Sequence, residues 1–155
     1  MLALRARLLI VTLWAGSLWT VGYLVAPTLF ATLADRALAG TIAGSLFRVQ
    51  AWLSLACGIV LLILMTLRPN AAERAHRFSP TVIVLAMLAC TVVGYFGLQP
   101  YMAELRQTAG GLADAASRTR FGILHGVSSG IYLLQSLLAV ALVFKARYLS
   151  AATER

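Results

Sequence analysis

The chain has 155 residues, of which 61% are hydrophobic and 12% are charged. Soluble domains are about 45–50% apolar and about 25% charged, so this composition excludes a water-soluble protein and predicts a membrane protein. The net charge of +8 does not indicate a nucleic-acid partner, because the basic residues stand in ones and twos beside apolar runs, as topology determinants do.

Two long apolar segments open the chain, and each is predicted to cross the membrane as a helix. The first, residues 8–33, has no formal charge and is too long for the apolar core of a cleavable signal peptide, so we expect it to be retained. The second, residues 42–67, contains one formal charge, Arg48. Small or helix-loosening residues on these segments, or leading into the second, are predicted to allow close helix packing: Gly16, Pro27, Gly40 and Gly44.

The third apolar segment, residues 81–98, is the shortest predicted span. We expect Gln99 and Pro100 to end it. Because Pro is favoured in the first turn of a helix and apolar residues follow it, the sequence then predicts a short helix lying on the membrane surface. Gly110 and Gly111 are expected to end that short helix.

The fourth predicted span, residues 121–144, has polar side chains along one side of an uncharged helix. A membrane helix with one polar stripe must turn that stripe toward other helices, so this segment predicts a bundle. The polar ladder consists of His125, Ser128, Ser129, Tyr132, Gln135 and Ser136. The opposite side, which suits lipid, carries Ile123, Leu124, Ile131, Leu134 and Leu138.

The predicted fold class is therefore all-α. We expect one integral membrane domain over residues 1–155, an antiparallel four-helix transmembrane bundle with a short interfacial helix between helices three and four. Lys and Arg number eight on the side of the two termini and five on the other side, so the positive-inside rule places both termini in the cytoplasm. Arg makes up twelve of the thirteen basic residues, an association with GC-rich bacterial genomes that indicates a bacterial inner membrane.

Two residues are candidates for a binding site at the outer end of the bundle. Arg48 lies about 9 Å along the helix axis from Ile42, where it can snorkel to the headgroups or orient an anionic group. His125 lies at a similar depth, as an interhelical hydrogen-bonding residue or as a ligand-binding one. Ser129 and Gln135 are expected to join helices through hydrogen bonds. The predicted pocket for a small molecule or lipid consists of Arg48, Gln99, Tyr101, His125 and Ser128.

The sequence predicts no catalysis, no metal site and no cofactor. Cys57 and Cys90 lie inside predicted spans without ligand-spaced neighbours, so we expect them to pack as small apolar residues. A bis-histidine haem would need a second intramembrane histidine, but His76 lies in a connector. The serines that follow His125 lack an acid to orient that imidazole as a base, which argues against a hydrolase.

Three stretches of the chain resemble a known family. They read W-T-V-G-Y-L-V-A-P-T-L-F over residues 19–30, A-G-T-I-A-G-S-L-F over 39–47 and R-F-G-I-L-H-G-V-S-S over 120–129. Together they resemble the transmembrane-protein-205-like family, the bacterial membrane domain of unknown function 4149, with four membrane helices. The resemblance implies an integral membrane protein of unsettled activity. If that family has a site, the matching positions here are Pro27, Gly40, Gly44, Phe47, His125 and Ser128.

Three functions remain open at this point. The first is a non-catalytic membrane protein that packs with a second copy of itself or with another membrane protein. The alternative is binding or transport of a small molecule or lipid through the pocket near Arg48 and His125. A redox or porphyrin-handling enzyme is the third. Membrane lipid is an expected partner in each case.

Overall fold

The computed structural model describes the backbone of residues 2–67, 80–107 and 114–153, and the side chains of residues 4–67, 80–106 and 114–146. Within these residues four helices are long and apolar enough to cross a membrane. They confirm the predicted all-α fold class with four spans, and the chain is a multi-pass membrane protein. The spans are Leu4–Thr32, Arg36–Leu67, Pro80–Arg106 and Ala115–Ala146.

Two of the four spans change their helix type along their length. The first and third spans each contain a π-helical segment between two α-helical ones, whereas the second and fourth are α-helical. The elements are α1 (Leu2–Trp19), π1 (Thr20–Val25), α2 (Ala26–Thr32), α3 (Arg36–Leu67), α4 (Pro80–Thr91), π2 (Val92–Leu98), α5 (Gln99–Gln107) and α6 (Ala115–Thr153).

The first span begins earlier than predicted, because α1 includes the basic head of the chain, residues 2–7 with Arg5 and Arg7. Arg7 is buried, and its guanidinium donates a hydrogen bond to the carbonyl of Leu64 near the end of α3. The carbonyls at a helix C-terminus lack helical partners and attract cations. The head was predicted to lie outside the span because it is charged; this contact shows how a charge is accommodated there.

The second span begins at Arg36 rather than at Ile42. The carboxylate of Asp35 caps it by accepting hydrogen bonds from the backbone N–H groups of Ala37 and Leu38, at 2.8 and 3.0 Å. The turn between the first two spans, predicted over residues 34–41, is thus shorter than expected, because Asp35 supplies the helix cap and Arg36 the first helical position.

The fourth span begins at Ala115 instead of residue 121, and Asp114 caps it. The backbone N–H of Ser117 donates to the carboxylate at 2.8 Å, and this bond holds the pKa of Asp114 below its ordinary value. A carboxylate with a lowered pKa in the folded state contributes stability above its ordinary pKa. That contribution is lost as the pH falls through the lowered value.

The third span does not end at Gln99. The short helix predicted after it is present as α5, but Gln99 keeps helical backbone angles (φ −59°, ψ −42°), so the helix runs on without a break. Pro100 therefore lies inside a continuous helix and not, as the sequence had predicted, in the first turn of a new one. The break predicted at Gly110 and Gly111 lies outside the described residues.

Both intramembrane prolines follow a π-helical segment. Pro27 comes two residues after π1, and Pro100 comes two residues after π2. A proline inside a helix removes one backbone hydrogen bond and its ring crowds the preceding turn. A wider π-helical turn relieves that crowding, so the two prolines account for the two irregular segments.

The hydrophobic core fills one half of the bundle. We call the end with the turns at Asp35 and Asp114 the open end, and the end with Leu67 and Pro80 the packed end. Large apolar side chains from all four spans meet in the packed half, where Trp14 and Met87 are fully buried. The cluster consists of Val11, Trp14, Ala15, Cys57, Leu61, Met65, Ile83, Val84, Met87, Ala139 and Leu142.

The side of the fourth span predicted to face lipid is only partly exposed. Ile123 and Leu134 are exposed, as expected for a lipid-facing surface. Leu138 instead packs against the core, and Ile131 lines a cavity between the spans. The buried arc of this helix is therefore wider than the polar ladder alone, because apolar residues beside the ladder also contact the other helices.

Close helix packing occurs at a glycine that the small-residue pattern did not single out. A Cβ at Gly58 would lie 2.5 Å from the side chain of Leu88, so a larger residue between the second and third spans here would force that side chain to move. A Cβ at Gly16 or at Gly44 would meet nothing within 4 Å.

We expect Gly58→Ala to lower the thermal stability of the detergent-solubilised protein. Overpacking costs about 1–3 kcal/mol, which exceeds the gain of about 0.5–1 kcal/mol from replacing a helical glycine. Gly16→Ala is the matched control and should leave the melting temperature unchanged or raise it. Equal melting temperatures for the two variants would contradict the close contact with Leu88.

Candidate functional site

A cavity of about 490 Å³ lies between the four spans, in the half of the bundle toward the open end. Its volume falls in the range of about 300–1,000 Å³ that is usual for small-molecule sites. Every span contributes to its walls. The cavity has three parts that differ in chemistry: a cationic rim near the open end, an aromatic middle, and a floor of amides and hydroxyls.

Arg106 and His125 form the rim of the cavity. The guanidinium carbon of Arg106 lies 4.8 Å from the centre of the Phe121 ring. That ring stacks on the imidazole of His125, with centroids 5.9 Å apart and planes 6° apart. A Cβ at Gly40 would lie 3.8 Å from a guanidinium nitrogen, so Arg106 also lies against the start of the second span. These contacts hold a cation and an imidazole at the same edge.

Aromatic rings form the middle of the cavity. Tyr132 makes edge-to-face contacts with Tyr23 at 6.2 Å and with Phe47 at 5.4 Å, measured between centroids. Its hydroxyl donates to the backbone carbonyl of Leu18 at 2.6 Å, and the Tyr23 hydroxyl donates to Ser136 Oγ at 2.9 Å. The first and fourth spans are thus joined by two hydrogen bonds and a ring contact around this part of the cavity.

Two buried pairs of polar side chains form the floor. Gln135 Nε2 donates to Thr91 Oγ1 at 2.9 Å, and Gln50 Nε2 donates to Ser54 Oγ at 3.3 Å. All four residues are at most 5% exposed. A side-chain amide can form about four hydrogen bonds, and within the described residues each of these amides forms one. The floor therefore retains capacity to donate and accept hydrogen bonds.

Both π-helical segments border the cavity. π1 contributes Gly22 and Tyr23, and π2 contributes Gly94 and Tyr95. A Cβ at Gly22 would overlap the ring of Tyr132, so glycine is required where the first span approaches that ring. π-helical turns are often found at functional sites, which agrees with their position here.

A family model described as a domain of unknown function (DUF4149) matches residues 9–110. The matched stretch is about two thirds of the chain and includes the second and third spans entirely. The chain belongs to the DUF4149 family. The fourth span of this DUF4149 protein, with His125, lies beyond the match, and the likeness to transmembrane protein 205 stays a resemblance. No curated protein and no solved structure matches the chain.

The cavity of this DUF4149 protein includes part of the pocket predicted from the sequence. Gln99, His125 and Ser128 line it. Arg48 and Tyr101 are exposed and lie outside its lining. Arg48 follows the lining residue Phe47, and Tyr101 precedes the lining residue Met102. Because successive residues of an α-helix point about 100° apart, the side chains of Arg48 and Tyr101 point away from the cavity.

The residues predicted to pack helices mostly border the cavity. Gly16 is the exception. In this DUF4149 protein the small-residue face of the first two spans therefore opens onto the cavity, where the absence of side chains creates space. The cavity-lining members are Pro27, Gly40, Gly44, Ser129 and Gln135.

Sequence reasoning missed Arg106 and Gln50. Arg106 was counted as a loop charge, yet it lies seven residues after Gln99, a spacing that places both on one helical face. Gln50 and Ser54 stand four residues apart in an otherwise apolar span, which is the same signal that the polar ladder gives. Both signals were present in the sequence of this DUF4149 protein.

Within the described residues, no group of three His, Cys, Asp or Glu side chains comes together as metal ligands would. Cys90 lines the cavity and Cys57 packs in the core. That this DUF4149 protein takes no metal or cofactor stays a prediction.

We expect Tyr132→Phe to reduce stability by removing the hydrogen bond to the carbonyl of Leu18. Hydrogen bonds between membrane helices contribute about 0.6 kcal/mol on average and up to about 1.7 kcal/mol. The ring contacts remain, so the loss should be confined to that range. Thermal unfolding in one detergent measures it.

Tyr101→Phe is the control, since the Tyr101 side chain is 62% exposed and lies outside the cavity. Its melting temperature should equal that of the unsubstituted protein. A Tyr132→Phe variant as stable as this control would show that the hydroxyl does not join the two spans.

Proposed function

We propose that this protein binds a small amphipathic molecule in the cavity between its four spans. The observation that carries the proposal is the cavity of about 490 Å³, which places polar groups at both ends of an aromatic middle. Small-molecule sites are mostly apolar, with a few placed polar groups that orient the ligand. An amphipathic ligand matches this distribution of groups.

The polar floor supports ligand binding over a purely structural role. Hydrocarbon supplies no hydrogen-bond partners, so polar side chains within a span are costly unless a partner satisfies them. Gln50 and Gln135 each retain unused donors and acceptors within the described residues. A ligand with a hydrogen-bonding group at its inner end would satisfy them. Intramembrane polar residues commonly mark such sites.

We propose binding without catalysis. The cavity lining contains His125 but, within the described residues, no Asp or Glu that could orient this imidazole as a general base. Gln99, Ser128 and the floor amides are suited to hydrogen bonding with a bound molecule. We further propose the bacterial inner membrane with both termini in the cytoplasm, on the distribution of Lys and Arg, which would turn the open end outward.

The partner-binding function has less support. The residues that suggested helix packing between molecules mostly border the cavity inside one chain, which gives them a role that needs no second molecule, although Pro27 and Ser129 are also exposed. A second copy or another membrane protein as partner stays a prediction, which crosslinking in lipid would test.

Protection of Cys90 from alkylation tests the proposal. Cys57→Ser leaves Cys90 as the remaining cysteine of the chain, and Cys90 lines the cavity. We expect an amphiphile such as dodecanoate or dodecanol to slow its alkylation by N-ethylmaleimide in nanodiscs, because the bound molecule occupies the space beside the thiol.

The matched control carries the thiol on the outer surface of the same span. Val93 is 52% exposed, lies three residues after Cys90 and does not line the cavity. In a Cys57→Ser, Cys90→Ser, Val93→Cys variant, the same amphiphiles should leave the alkylation rate unchanged. Equal slowing at both positions would mean that the amphiphile acts through the bilayer, and no slowing at Cys90 would refute binding in the cavity.

A further inference from the structure

We propose that the ligand carries an anionic group on an apolar chain, and that Arg106 binds this group at the rim of the cavity. The inference rests on the proposed function and names the chemical class of its ligand. It places the anion at the open end and the apolar chain among the aromatic rings.

The guanidinium of Arg106 is held in position by an aromatic ring, and no described residue neutralises it. Its guanidinium carbon lies over the Phe121 ring, 4.8 Å from the ring centroid, in a cation–π contact. No described residue accepts a hydrogen bond from its N–H donors or forms an ion pair with Arg106. An arginine whose N–H donors lack an acceptor is suited to a carboxylate or a phosphate, which it binds through two parallel hydrogen bonds.

The described carboxylates near the open end lie outside the cavity lining, and two of them cap helices. Asp35 accepts two backbone N–H groups at the start of the second span, and Asp114 accepts one at the start of the fourth. Glu104 is exposed and lies outside the cavity lining. Arg106 is thus the only formal charge among the described lining residues, and it gives the rim a positive charge. Arg106 and His125 are both exposed, so this positive rim is accessible, and it attracts an anion and disfavours a cation.

The rim also offers groups that can hydrogen-bond the same anion. His125 stacks on the ring that contacts Arg106, and Gln99 lies two turns before Arg106 on one helical face. Gly40 lies against the guanidinium and leaves room beside it. An anion at Arg106 therefore has a cation, an imidazole and an amide around it.

The cavity is long enough for an extended chain. Gly40 at the rim and Ser54 at the floor both line it, and at 1.5 Å per residue they are roughly 20 Å apart along the second span. An apolar chain running inward from Arg106 passes Phe47 and Tyr132. Its inner end reaches the floor, where a hydroxyl or carbonyl would meet the amide of Gln135.

Probes with one chain length and different head groups test the proposal. The Cys57→Ser protein is placed in phosphatidylcholine nanodiscs, and protection of Cys90 is titrated with dodecanoate, dodecanol and dodecyltrimethylammonium. We expect dodecanoate to protect at a concentration about tenfold or more below that of dodecanol, because a charge-assisted hydrogen bond is stronger than a neutral one. Dodecyltrimethylammonium should protect least.

Arg106→Gln should abolish the advantage of dodecanoate over dodecanol, whereas Arg106→Lys should retain part of it. Arg48→Gln is the matched control, since it removes the same charge from an exposed position outside the cavity lining. It should leave the advantage intact. Melting temperatures of all three variants report whether they fold.

Each outcome decides a separate claim. If dodecanoate, dodecanol and dodecyltrimethylammonium protect Cys90 equally, the anionic class is overturned while the proposed function stands, and this holds even if Arg106→Gln fails to fold. If Arg48→Gln and Arg106→Gln reduce the advantage of dodecanoate over dodecanol equally, the anionic class is also overturned, because the advantage then depends on the net charge of the protein. If no probe protects Cys90, the proposed function itself fails.

Two further probes separate the sources of the anion. Dodecyl phosphate presents the head group on one free chain, and dimyristoyl phosphatidic acid presents it on a bilayer lipid. Protection by dodecanoate and dodecyl phosphate supports a free single-chain anion. If phosphatidic acid protects Cys90 and the single-chain anions do not, a free single-chain anion is overturned as the ligand, and a lipid head group at Arg106 is supported.

Discussion

The absence of hydrogen-bond partners in hydrocarbon governs this structure. Polar side chains and irregular backbone are tolerated at membrane depth only where protein or a cavity receives them. The ladder of the fourth span meets this requirement because Tyr132 reaches the carbonyl of Leu18, Gln135 reaches Thr91 and Ser136 accepts from the first span. The polar residues therefore determine how the helices face one another, while the apolar residues fill the packed end.

The same constraint explains why both π-helical segments border the cavity. Pro27 and Pro100 disturb the helical hydrogen bonds of the turn before them, and the backbone widens there. Lipid could not satisfy such a turn, so part of each widened turn packs against the other spans, although neither π-helical segment contains a buried residue. Gly22 of π1 and Gly94 of π2 lie at the cavity wall, where the lack of a side chain lets Tyr132 and Ile131 approach closely. Two prolines far apart in sequence thus help to shape one site.

The four spans and the polar ladder of the fourth span could be predicted from the sequence, but the residues at the rim of the cavity were predicted less well. Periodicity relates residues of one helix to each other, so it grouped His125 with Ser128 correctly. It does not say which face of one helix meets which face of another, so Arg48 was expected beside His125. Arg106 was excluded because the third span was expected to end at Gln99. Once the helix continues past that residue, Arg106 falls on its cavity face.

The distribution of residue sizes indicates that the open half of the bundle is not organised for stability. Membrane helices associate through van der Waals packing, because lipid is as apolar as their side chains, so larger side chains that filled the cavity would stabilise the bundle. Gly44 nevertheless lines it, and a Cβ there would meet nothing within 4 Å. The packed half shows that this chain can fill its interior, since Trp14 and Met87 are fully buried there. The bundle therefore has a tightly packed half and a half with a cavity. This arrangement is expected when a protein is less stable than it could be because its binding site must leave space for a ligand.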